Sequence, residues 1–74
     1  MRRNIDHIPN SLLAEQIDEW EKSERNRALL KRRYIDGLTF EELSEEFHLS
    51  TQAVKNIVYN RGDKILLRIS LLFK

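Results

Sequence analysis

Between Ser23 and Thr51 the chain is cut into short pieces by signals that start and stop helices. This punctuation constrains the fold more than any other feature. Ser23 can accept a hydrogen bond from the open amides of a helix beginning at Glu24, and the Glu24 carboxylate suits that helix's positive end. Asp36-Gly37 ends the helix near Ile35, because glycine enters the left-handed conformation without a Cβ clash. Thr39 and Glu42 then stand three residues apart, the spacing of a capping box. His48-Leu49 leaves room only for a short turn, and Ser50 caps a further helix from Thr51. Upstream, Pro9-Asn10-Ser11 is another start signal with Asn10 or Ser11 as the cap, and Leu12, Leu13, Ile17 and Trp20 follow at helical spacing.

The expected fold is therefore all-α, a small helical domain of four to five helices. Residues 1–10 form an N-terminal arm, 11–61 a helical unit and 62–74 a C-terminal helical extension, all within one domain. A chain of 74 residues buries only about 60% of the surface its unfolded form exposes. It has no cysteine, so it offers neither a disulfide nor a thiolate zinc site. His7 and His48 stand far apart with no third ligand at usable spacing, and no nucleophile triad or phosphate-cradling glycine loop can be assembled. The expectation is a protein that is not an enzyme and that needs no cofactor or metal. Apolar runs never exceed three residues, far below the ~20 that span a bilayer, so no membrane partner is expected and the expected location is cytoplasmic.

Near-neutral overall charge conceals alternating blocks. Residues 1–24 carry six acids against three bases, and residues 25–38 five bases against one acid. Residues 39–48 carry four glutamates and no base, and residues 49–74 again five bases against one acid. Blocks of this size point to charged faces, and the two basic ones form a single patch if the fold brings them together.

The helix from Thr51 splits in half when successive residues are set about 100° apart. Thr51, Gln52, Lys55, Asn56, Tyr59 and Asn60 share a face able to hydrogen-bond, while Ala53, Val54, Ile57 and Val58 share an apolar one. Arg61 falls on the apolar side and must lay its stem along the core or mark its edge. Gly62-Asp63 either breaks the helix or is a weak point within a continuous one. Continuity is favoured, since an interior glycine costs only about 1 kcal/mol. On that wheel Leu66, Leu67, Leu71 and Phe73 scatter too widely for one core. They can pack on the first helix or form a dimer or partner surface.

Two short helices joined by a tight turn, the second with a hydrogen-bonding face, make a helix-turn-helix, placed here at residues 39–61. At Leu29-Leu30, Arg33-Tyr34-Ile35-Asp36-Gly37-Leu38-Thr39, Glu42-Leu43, Leu49-Ser50 and Val54-Lys55, the chain resembles region 4 of the sigma-70 family of bacterial transcription initiation factors. The resemblance implies a four-helix unit whose helix-turn-helix recognises promoter DNA. It implies base-facing roles for Thr51, Gln52 and Asn56 and a phosphate or groove role for Lys55. Thr39, Arg32 and Arg33 fall where the family touches the DNA backbone, and Tyr59 is added from the polar face of the wheel. Thr51 is shorter than the residue the family often carries there, and Arg32 replaces a commonly apolar one. The length leaves no room for the family's regions 2 and 3, so a stand-alone unit is expected, of the kind found in separate regulators and in phage or mobile-element proteins.

Two functions follow. One is a transcriptional regulator that reads double-stranded DNA in the major groove, with a homodimer through the C-terminal helix to strengthen binding. The other is a protein-interaction module that binds RNA polymerase or a sigma factor, or self-associates, without reading DNA. Leu66, Leu67, Leu71 and Phe73 are the expected partner or dimer surface in either case.

Overall fold

The computed structural model describes residues 8–72. Helix α1 spans Asn10–Trp20, α2 Glu24–Tyr34, α3 Phe40–Phe47 and α4 Thr51–Ile57. A π-helical segment, Val58–Gly62, then leads without a break into α5, Asp63–Leu72. No strand occurs among the described residues, so the all-α expectation holds.

The expected caps are present from Ser23 onward. The Ser23 hydroxyl accepts from the Asn26 amide, and the Ser50 hydroxyl from the Ala53 amide. Thr39 and Glu42 form both halves of the capping box, at 3.1 and 2.8 Å. Gly37 (φ 77°) provides the left-handed turn after α2. His48 (φ 57°) does the same after α3, a conformation that costs a non-glycine residue some strain. The start of α1 differs from expectation. Neither Asn10 nor Ser11 caps it; extended Pro9 occupies the cap position with no side-chain bond, and Asn10 is already helical. Proline's fixed φ suits that junction, and its carbonyl accepts the Leu13 amide at 3.0 Å.

α1 packs on α2, α2 on α3 and α3 on α4, and α5 returns to α1 and closes the ring. Leu13, Ile17, Leu29, Leu30, Leu43, Val54, Val58, Ile65, Leu66 and Ile69 form the core. Burying such a side chain contributes about 1.5–3 kcal/mol. Leu66 therefore does not belong to a partner surface. The expectation assumed one uninterrupted 3.6-residue period. The π segment contains an i→i+5 turn, so every residue after it takes roughly the direction of its predecessor on the α-helical wheel. That shift of about 100° carries Ile65, Leu66 and Ile69 together onto the core side and leaves Leu67 and Leu71 outside.

Gly62 lies in this segment and lets Tyr34 approach closely. It is buried, and a Cβ there would collide with the Tyr34 hydroxyl and lie 3.0 Å from the Tyr34 ring. Nearby, Glu21 is only 1% exposed. Its carboxylate accepts from the Ser23 amide at 3.0 Å and pairs with Arg61 Nε at 3.1 Å. The pair ties the α1–α2 link to the π segment through Arg61. Trp20 remains 46% exposed beside α5. Its ring lies 3.9 Å beneath the Arg68 guanidinium carbon, and its indole N–H donates to Gln16.

Candidate nucleic-acid interface

The first turns of α4 present Thr51, Gln52 and Asn56 to solvent. Val54 and the half-buried Ala53 and Ile57 face the protein and fix the helix against α3. The Ser50 cap sets where α4 begins, so these three polar residues fall within its first two turns. Gln52 Nε2 donates to Asn56 Oδ1 at 3.2 Å. This bond orients both amides and leaves the Gln52 carbonyl and the Asn56 NH₂ to pair outward.

Beside this face, α2, α3 and α4 enclose a shallow recess lined by Arg33, Thr39, Phe40, Glu41, Thr51 and Lys55. The Phe40 ring is its centre. Arg33 Cζ lies 4.3 Å from the ring centroid and Lys55 Nζ 5.9 Å. Tyr59 meets the ring edge-on, with centroids 5.9 Å apart and planes at 79°. Arg33 Nη1 also donates to the Leu38 carbonyl at 2.8 Å. Among the described residues neither Arg33 nor Lys55 forms an ion pair with a carboxylate, although Glu41 also lines the recess.

Three other cations, Lys31, Arg32 and Arg61, are paired with carboxylates. Lys31 pairs with Asp18 at 2.8 Å. Arg32, expected among the phosphate-facing residues, directs its fork elsewhere: Nε and Nη2 meet the Glu46 carboxylate at 2.9 and 2.7 Å, and Nη1 meets Asp36 at 2.9 Å. The hydrogen bonds that Arg32 donates to Glu46 and Asp36 push its pKa further above its already high ordinary value. In return the Arg32 hydrogen bond holds the Glu46 carboxyl below the usual range. Arg32 is thus a clamp between α2 and α3 and leaves the candidate interface.

The structure accordingly brings together Thr51, Gln52, Asn56, Lys55, Tyr59, Thr39 and Arg33 and separates Arg32 from them. Leu67 and Leu71 are exposed on α5 as expected, Leu66 is buried, and Phe73 lies outside the described residues. Phe40, half-buried against the core, also touches Arg33, Lys55 and Tyr59, a role no local spacing in the sequence exposes. No helix among the described residues is long and apolar enough to cross a membrane.

A family model described as "Sigma-70, region 4" matches residues 23–59. No curated protein and no solved structure shows a significant match to the chain. The matched span runs from the Ser23 cap through α2, α3 and α4 to Tyr59, and so contains every residue of the interface just described.

Proposed function

This chain belongs to the sigma-70 region 4 family, and on that footing we propose that it is a DNA-binding transcriptional regulator that inserts α4 into the major groove. The observation that carries the reading is the outward face of α4, with Gln52 and Asn56 coupled and two unneutralised cations, Arg33 and Lys55, beside them. Carboxamide side chains match the donor and acceptor that adenine shows in the major groove, and a threonine methyl suits the thymine methyl. Cations at the flank neutralise phosphates and set the register. Thr51, Gln52 and Asn56 are the proposed base readers. Lys55, Arg33, Tyr59 and Thr39 are the proposed backbone and groove contacts.

Selection from randomised duplexes tests the assignment. Gln52→Ala and Asn56→Ala should each relax preference at one position, by about 1–3 kcal/mol of discrimination. If both variants select the same sequence as the parent with the same stringency, α4 is not the reader.

A second reading has its own support. Leu67, Leu71 and Leu72 are each more than half exposed on α5. They favour a contact that buries them, either in a second copy of this chain or in RNA polymerase. A homodimer would place two α4 helices on half-sites about one helical turn apart. Sedimentation velocity over a concentration series should show a dimer that Leu67→Lys with Leu71→Lys abolishes. A single monomeric species at every concentration would remove the homodimer.

A further inference from the structure

We propose that Phe40 is a positioning residue for nucleic-acid binding, its ring holding Arg33 and Lys55 in the arrangement that meets the DNA backbone, with Tyr59 bracing the ring from its edge. The inference rests on the DNA-binding reading and adds a residue that touches no base. The three side chains reach the ring from different parts of the chain. Arg33 comes from α2, Lys55 from α4 and Tyr59 from the π segment. Phe40 itself opens α3 and is half-buried, with its body packed against the core.

The physical case concerns freedom as well as attraction. A long cationic side chain on an open surface samples many rotamers, and it must surrender them when it docks on a phosphate. An aromatic face attracts the cation through its quadrupole without cancelling its charge. A carboxylate partner would hold the cation equally well but neutralise it, as Glu46 does for Arg32. Phe40 thus combines restraint with retained charge at two positions. Arg33 is restrained further by its bond to the Leu38 carbonyl. The edge-on Tyr59 ring fixes the orientation of the Phe40 face.

The test is a set of duplex titrations by fluorescence anisotropy, with thermal melting of every variant to establish that it is folded. Phe40→Leu keeps an apolar body and removes the π face; it should weaken binding roughly threefold to tenfold. Phe40→Trp keeps the face and should restore binding. The decisive readout is non-additivity. In a background of Arg33→Ala with Lys55→Ala, Phe40→Leu should have almost no further effect, because the side chains it acts through are gone. An equal penalty in both backgrounds would overturn the positioning role and make Phe40 a structural residue only. In the free protein, side-chain protons of Arg33 and Lys55 should show upfield ring-current shifts that Phe40→Leu removes. Their absence would overturn the proposal whatever the DNA result. Parent protein that fails to bind any duplex at low salt would overturn the DNA reading and this role with it.

Discussion

Gly62 shows how a residue without a side chain can admit a neighbouring ring. A Cβ at this position has no room beside Tyr34, so the residue that looks like a weak point is a fitted one. Two opposed effects bear on Gly62→Ala. Alanine gains about 1 kcal/mol of helix propensity over glycine, while forcing Tyr34 aside costs about 1–3 kcal/mol. The clash should prevail, giving a net loss of about 1 kcal/mol in urea denaturation. Paired with Tyr34→Leu the same change should turn neutral or stabilising, because the obstructing ring is gone. A Gly62→Ala penalty that is unchanged by Tyr34→Leu would mean that something other than this contact requires glycine. Glu21 and Arg32 carry a related lesson. Glu21 belonged to an acidic block and Arg32 was expected at the DNA backbone, yet the one is buried and paired with Arg61 and the other forms a fork across two helices. Their partners lie 40 and 14 positions away in the sequence, beyond the reach of any local pattern.

At the scale of elements, local chemistry was the legible part. The caps at Ser23, Thr39 and Ser50 and the stop at Gly37 depend on residues within four positions of each other, so spacing alone exposes them. The polar face of α4 was visible for the same reason. The phase of α5 was not, because a wheel built on 3.6 residues per turn cannot register a π turn, and this error put Leu66 on the wrong side. The Phe40 hub was hidden as well, since it joins α2, α3 and α4 through space. Between α2 and α3 the Arg32–Glu46 fork gives a pH signature. Glu46 is held below the usual carboxylate range chiefly by its hydrogen bond from Arg32. A carboxyl depressed on folding adds stability above its unfolded pKa and loses it as pH falls through the folded value. Parent protein should therefore lose stability on acidification through and below the usual carboxylate range, and Glu46→Gln should show a shallower loss across the same window. Denaturant midpoints measured over that range test this. Identical pH profiles for the two proteins would show that the fork contributes nothing to folding.

Taken whole, the molecule pairs some of its cations with carboxylates and leaves others without such partners. Lys31, Arg32 and Arg61 are occupied by carboxylates that hold helices together, whereas Arg33 and Lys55 stand beside the polar face of α4 with their charge intact. On the proposed reading, net charge is a poor guide to DNA binding, and the cations placed beside α4 matter most. The most direct test is the affinity of parent protein and Lys55→Ala for one duplex across a salt series. Affinity should fall linearly on a log–log plot, with a slope of about −0.9 for each phosphate neutralised. Lys55→Ala should bind more weakly and show a slope shallower by about one contact. No binding at low salt, or equal slopes for the two proteins, would contradict the assignment of α4 and its flanking cations as a DNA-binding surface.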